Sequence, residues 1–111
     1  MPQNPIDTEH LSRQTGGDHD LERELLMLFS QQCVRLLRTI HGSADRQARV
    51  DAAHTLKGAA RAIGAWQVAD AADRIELGLA AMQSLNETAF DALALAAAEA
   101  RAAIARLDCA A

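Results

Sequence analysis

The sequence predicts an all-α fold, an antiparallel up-down four-helix bundle with a short additional helix at its N-terminus. Half of the 111 residues are hydrophobic but only 3% are aromatic. Alanine and leucine supply most of the apolar content, and they favour helices over strands. Both prolines, Pro2 and Pro5, precede residue 6, so no proline interrupts a helix later in the chain. The length fits one compact domain over residues 1–111.

The N-terminal part of the chain predicts an arm followed by a short helix. We expect residues 1–6 to form a flexible arm and residues 7–14 to form the helix, with Asp7 as its N-cap. Thr15-Gly16-Gly17 then stops this helix, because glycine readily takes the left-handed conformation that ends helices.

Four longer helices follow, each with apolar residues at three- and four-residue steps. The first begins from Asp18 or Asp20, and Ser43 is expected to cap the second, which ends at Gly64. A capping box over Ser84-Leu85-Asn86-Glu87 begins the last. The expected ranges are 19–41, 44–63, 66–83 and 87–108.

Charge and composition exclude several classes of function. The net charge is −4 and the pI about 5.4, and the basic patch with interleaved aromatics that nucleic-acid binders carry is absent. No apolar run reaches the roughly 18 residues that span a bilayer, and the N-terminus lacks a signal-peptide layout. Cys33 and Cys109 are read as reduced thiols. We therefore expect a cytoplasmic protein that binds no nucleic acid, membrane, metal or cofactor.

The most informative stretch of the sequence surrounds His54. Since each helical residue turns about 100°, the apolar stripe of this helix lies roughly 120° from His54, which is therefore exposed. Lys57, Gly58 and Arg61 follow at three, four and seven positions, on the same side of the helix. The sequence thus presents an imidazole, two cations and a bare patch of backbone together.

These residue types suit the chemistry of phosphate. A neutral imidazole can attack phosphorus through a ring nitrogen, and the two cations supply positive charge where negative charge develops. Gly58 costs about 1 kcal/mol against alanine inside a helix, and the missing Cβ opens space for a partner one turn from His54. The pattern predicts a histidine that carries a phosphoryl group.

The stretch His54-x-x-Lys57-Gly58, with small residues at Ala59 and Ala60 and a further glycine at Gly64, resembles the signature of the histidine-containing phosphotransfer (HPt) domain family. The family often has serine at the positions of Ala59 and Ala60. The resemblance covers nearly the whole chain, including Thr15-Gly16-Gly17-Asp18 and the order of the helices. It implies a phosphocarrier with no ATP-dependent kinase activity of its own, and we expect a stand-alone bacterial protein.

The resemblance also implies roles and partners. His54 would be the phosphoacceptor through Nε2, Lys57 would stabilise the phosphate, and Gly58 would give steric access. Arg61 would contact the phosphate or the partner, and Glu76 would orient the imidazole. The partners would be receiver domains, one on a hybrid histidine kinase and one on a response regulator, and each would bring its own Mg²⁺. We expect a monomer, since dimerisation through this face would hide His54.

Three alternatives to this role are weighed. A histidine-kinase dimerisation domain usually has an acidic residue directly after its histidine, and here Thr55 follows. The phosphoacceptor module of a chemotaxis-type kinase shares His-x-x-Lys-Gly, and labelling by a separate ATP-binding domain would favour it. A helical adaptor that binds receivers without accepting phosphate would lack His54 or Gly58, and both are present.

Overall fold

The computed structural model of the protein describes residues 4–110, without the side chains of Cys109 and Ala110. The expectations for residues 1–3 of the arm and for the Cys109 thiol therefore lie outside the described residues. Within that part the chain forms five helices and no strand. They are α1 (Thr8–Thr15), α2 (His19–Gly42), α3 (Arg46–Ile63), α4 (Trp66–Ala80) and α5 (Glu87–Ala110).

The helices α2 to α5 form a four-helix bundle, and α1 packs against α2 and α3. Each long helix contacts its neighbours in the chain, and α5 returns to contact α2, which closes the bundle. Arg23 near the start of α2 pairs with Asp108 near the end of α5, so these two helices are antiparallel. The predicted all-α fold, a four-helix bundle with a short N-terminal helix, is confirmed.

The helix starts are fixed by side chains that accept hydrogen bonds from free backbone N–H groups. Asp7, Asp18 and Asp45 cap α1, α2 and α3 in this way. The cap of α3 is therefore Asp45, two residues after the expected Ser43. Before α5, the Asn86 side chain accepts from the N–H of Ala89, which places the cap at Asn86 and not at Ser84.

The expected loose arm does not extend to Ile6, which is buried in the core with 3% of its surface exposed. The next residue, Asp7, donates its N–H to the Gly64 carbonyl at 2.9 Å and accepts from Trp66 Nε1 at 2.9 Å. Gly64 has φ +82°, and a Cβ there would lie 2.9 Å from the Asp7 Cβ. Ile6 and Asp7 are thus packed against the body of the protein at the α3–α4 junction, which a single apolar residue in the sequence does not reveal.

Helix α4 ends at Ala80, three residues before the expected position 83. Met82 has φ +57°, the left-handed conformation that closes many helices. The N–H of Gln83 then reaches back to the Gly78 carbonyl at 2.9 Å. Leu85 covers Gly78 so closely that a Cβ there would lie 2.5 Å from its Cδ2. The loop folds tightly onto the helix it follows.

The most extensive helix–helix contact in the bundle is between α3 and α4, and it positions the site. Small buried residues let the two helices approach, because alanine adds little bulk between their backbones. They are Ala53 and Ala60 on α3 and Ala69 and Ala72 on α4. Leu56 and Ile75 fill the adjoining core. As a result, polar side chains on the outer edge of α4 come within reach of those on α3.

Candidate functional site

His54 lies on the exposed flank of α3, beside the seam with α4. Its side chain is 68% exposed, and its Nδ1 lies 2.8 Å from Glu76 Oε2. The neighbours Ala53 and Leu56 are fully buried, so the backbone under His54 is held by the core while the ring faces solvent.

The bond to Glu76 determines which ring nitrogen of His54 is free. An ionised carboxylate can only accept hydrogen bonds, so Nδ1 is the donor in this contact. A neutral imidazole carries one proton, and its lone pair is then on Nε2. In the neutral ring, Nε2 is therefore the nitrogen without a proton, and it is not engaged by Glu76.

Lys57 lies three residues after His54 and is bound by carboxylates of α4. Its Nζ is 2.6 Å from Glu76 Oε1 and 3.2 Å from Asp73 Oδ1, and only 14% of its side chain is exposed. Glu76 first and Asp73 second raise the pKa of this ammonium group above its ordinary value. The cation is thus held by two carboxylates of α4.

Glu76 joins His54 to Lys57, with one oxygen on each. Its burial opposes ionisation, but the bonds from Lys57 and His54 outweigh burial and hold its pKa below the ordinary value. At neutral pH Glu76 is therefore ionised.

Gly58 and Arg61 extend the exposed face beyond the ring. Gly58 lies in the interior of α3, and a Cβ added there would meet no atom within 4 Å. Its lack of a side chain is therefore not required by packing. Arg61 is exposed and its side chain makes no hydrogen bond or ion pair within the described part of the chain, so its guanidinium is free to meet a ligand.

The structure brings His54, Lys57 and Glu76 into one bonded chain, places Gly58 one turn away and leaves Arg61 unengaged. Asp73 is the member that the sequence reasoning missed. Asp73 and Glu76 are three residues apart, which puts both on one flank of α4. Their meeting with Lys57 depends on the register between α3 and α4, which helical periodicity alone does not give.

No other kind of site coincides with the α3–α4 seam in the described residues. These residues contain no cluster of three or more His, Cys, Asp or Glu side chains that could hold a metal ion, and no helix among them is long and apolar enough to cross a membrane. A cleft of about 430 Å³ lies between α1, α2 and α5. No residue of α3 or α4 lines this cleft.

Comparison with known protein families matches residues 23–108 to the Hpt domain. This chain belongs to the Hpt domain family. No curated protein and no solved structure matches it. Hpt domains act in phosphorelays by histidine phosphotransfer, as phosphocarriers that generally lack a kinase activity of their own.

The matched range holds two of the four histidines, His41 and His54. The His41 Nδ1 lies 2.8 Å from the carbonyl of Leu37. Its ring packs against that of Phe90 with centroids 5.6 Å apart. His41 has no carboxylate or cation bonded to it among residues 4–110. Of the two histidine rings in the matched range, only that of His54 is joined to charged side chains.

Proposed function

We propose that His54 is the phosphoacceptor of this Hpt domain, and that it takes the phosphoryl group from a receiver-domain aspartate and passes it to another. The observation that carries this proposal is the 2.8 Å bond between His54 Nδ1 and Glu76. That bond orients the ring and leaves Nε2 as the nucleophile on a surface open to a partner.

In the accepting step, Nε2 attacks the phosphorus of an aspartyl phosphate. The Nε2–P bond forms, the bond from phosphorus to the aspartyl oxygen breaks, and the aspartate leaves as a carboxylate. The Nδ1 proton stays on the ring, now cationic, where Glu76 accepts its hydrogen bond and balances its charge. The reverse sequence on a second receiver returns the neutral ring.

The protein groups around the ring divide the work of this transfer. Glu76 holds the ring in one orientation, so the attack does not wait for a rare side-chain rotamer. Arg61 supplies a free positive charge for the phosphoryl oxygens or for the partner's acidic residues. Lys57 can stabilise the phosphoryl group only when its ammonium group moves away from Asp73 and Glu76. The receiver brings the Mg²⁺ that its own aspartate needs.

Gly58 gives the partner access to Nε2. Since a Cβ there would point into open space, the absent side chain leaves a shallow recess beside the ring where a receiver loop can lie.

The partners are receiver domains of a hybrid histidine kinase and of a response regulator. Contacts of this kind are transient and bury modest area, and the protein works as a monomer in the cytoplasm with this face uncovered.

The test is transfer from a receiver domain labelled with ³²P on its aspartate. We expect the wild-type protein to become labelled, and His54→Gln to take up no label while its circular dichroism is unchanged. His41→Gln is the matched control, since it removes the other histidine of the matched range and should be labelled as the wild type is. Label retained on His54→Gln contradicts the proposal. Label obtained only from ATP and a separate catalytic domain would instead indicate a chemotaxis-type module.

A further inference from the structure

The ammonium group of Lys57 lies between two carboxylates that both belong to α4. Its Nζ is 2.6 Å from Glu76 and 3.2 Å from Asp73. The His54 ring is bonded to Glu76 through Nδ1 and has Nε2 as its free nitrogen. Two anions thus hold the cation on the α4 side, whereas a phosphoryl group would stand on the solvent side of the ring.

We propose that Asp73 is a positioning residue of this phosphotransfer site, an inference that rests on the proposed function of His54. While the ring is unphosphorylated, Asp73 holds the Lys57 ammonium group on Glu76. Once the ring carries a phosphoryl group, Asp73 competes with that group for the same ammonium. Asp73 thereby limits how strongly Lys57 stabilises the phosphohistidine.

This competition affects how readily the phosphohistidine gives up its phosphoryl group. Lys57, Glu76 and Asp73 together carry one net negative charge beside the ring. Negative charge favours the form of the phosphorylated ring that keeps its Nδ1 proton. A protonated ring is the better leaving group when the Nε2–P bond breaks. Asp73 therefore promotes loss of the phosphoryl group in two ways. It adds negative charge that favours the protonated ring, and it holds the Lys57 ammonium away from the phosphoryl oxygens.

The ionisable groups that act on the ring come from two helices. On α4 they are Glu76 and Asp73. On α3 they are Lys57, with Asp51 three residues before His54 and Arg61 seven residues after it. Asp51 accepts a hydrogen bond from Gln47. Within the described residues, no charged side chain of α1 or α2 forms an ion pair or hydrogen bond with this group.

The experiment compares Asp73→Asn with Asp70→Asn. Asp70 is exposed on the same helix and its side chain bonds to no described residue, so its replacement removes the same formal charge without releasing Lys57. Each protein is phosphorylated with phosphoramidate, whose P–N bond breaks with loss of ammonia as the Nε2–P bond forms. ³¹P NMR then follows spontaneous loss of the phosphoryl group and, over a pH series, the pKa of the phosphorylated ring.

For Asp73→Asn we expect a phosphohistidine half-life about threefold longer than that of the wild type at neutral pH, together with a lower ring pKa. Asp70→Asn should behave as the wild type does. In a Lys57→Met background, Asp73→Asn should have a clearly smaller effect, because the competition is for Lys57.

Three results would overturn the inference. They are an unchanged or shorter half-life in Asp73→Asn, an equal change in Asp70→Asn, and a full effect of Asp73→Asn without Lys57. Failure of the proposed function looks different, because the wild-type protein would then take up no label on His54 from a phosphorylated receiver domain.

Discussion

At the scale of single residues, the site is defined by how one carboxylate is shared. Glu76 gives one oxygen to His54 Nδ1 and the other to Lys57 Nζ. The first contact fixes the tautomer of the ring. The second pairs the remaining carboxylate oxygen with a cation and helps to keep Glu76 ionised. One anion thus orients the ring through Nδ1 and is itself held in place by Lys57.

Substitutions at Gly58 can separate the stability of the protein from the access of a receiver domain to His54. Gly58→Ala should raise the free energy of unfolding by about 0.5–1 kcal/mol, because alanine is the better helix former and its Cβ meets no atom. Gly58→Gln should recover much of that gain, yet slow transfer from a phosphorylated receiver at least about tenfold by obstructing the approach to His54. Urea denaturation and the labelling rate measure the two effects.

The small phosphodonor phosphoramidate provides the control for Gly58→Gln. It needs no docking surface, so it should label this variant at nearly the wild-type rate. Equal slowing with phosphoramidate and with the receiver would mean that the substitution disturbs the ring itself, and the role of Gly58 in access would be wrong.

The sequence predicts the individual residues of the site better than their contacts. The helical phase of His54, Lys57, Gly58 and Arg61 follows from α3 alone, because 100° per residue fixes which of them share a face. The attachment of Lys57 to Asp73 and Glu76 depends instead on how α3 and α4 are aligned along their axes. That alignment is set by packing at Ala53, Ala60, Ala69 and Ala72, and a pattern of alanines is compatible with several alignments.

At the scale of elements, the middle of each helix is more predictable than its ends. Regular apolar spacing specifies α2 to α5, since a buried stripe needs a repeat near 3.6 residues. The caps are less certain because several polar residues stand near each end. Asp45 caps α3 in place of Ser43, and Asn86 precedes α5 in place of Ser84. Neighbouring polar side chains can satisfy the same N–H groups, so local sequence does not choose between them.

The end of α4 is suboptimal for stability. Met82 takes the left-handed conformation with φ +57° and leaves 75% of its surface exposed. Met82→Gly should therefore raise the free energy of unfolding by about 0.5–1 kcal/mol, since glycine adopts this conformation without the clash of a Cβ. Thermal and urea denaturation measure the change.

Ala81→Gly is the matched control for Met82→Gly. Ala81 has φ −81°, where glycine has no conformational advantage, so this variant should be no more stable than the wild type. If Met82→Gly also fails to stabilise the protein, the left-handed end of α4 is not under strain. Neither substitution should change the labelling of His54, because neither residue bonds to the His54 group.

At the scale of the whole molecule, Asp7 ties three parts of the chain together. Its carboxylate caps α1 by accepting from the N–H of His10 and also accepts from Trp66 at the start of α4. Its backbone N–H is bonded to Gly64 at the end of α3. The preceding residue, Ile6, fills the core. Ile6 and Asp7 therefore connect α1 to the junction of α3 and α4, and they share no bond with the His54–Glu76–Lys57 chain.

The contacts of the Asp7 carboxylate should make the free energy of unfolding depend on pH in the acidic range. The bond from Trp66 first, and that from the His10 N–H second, hold the pKa of Asp7 below its ordinary value of 3.8. A carboxyl group with a lowered pKa in the folded state stabilises that state above its unfolded pKa, and the stabilisation is lost as pH falls through its folded pKa. Glu76 acts in the same direction. The free energy of unfolding should therefore decrease between about pH 5 and pH 3.

Urea denaturation over this pH range can isolate the part that belongs to Asp7. Asp7→Asn should be less stable than the wild type at pH 7 and should lose less stability on acidification, because its side chain does not titrate. Asp91→Asn is the control, since Asp91 is exposed on α5 and its side chain bonds to no described residue, so the pH dependence of this variant should match that of the wild type. If Asp7→Asn keeps the full acid dependence, the carboxylate does not fasten the bundle. Labelling of His54 in Asp7→Asn at neutral pH should stay at the wild-type level, because the two bonded groups share no residue.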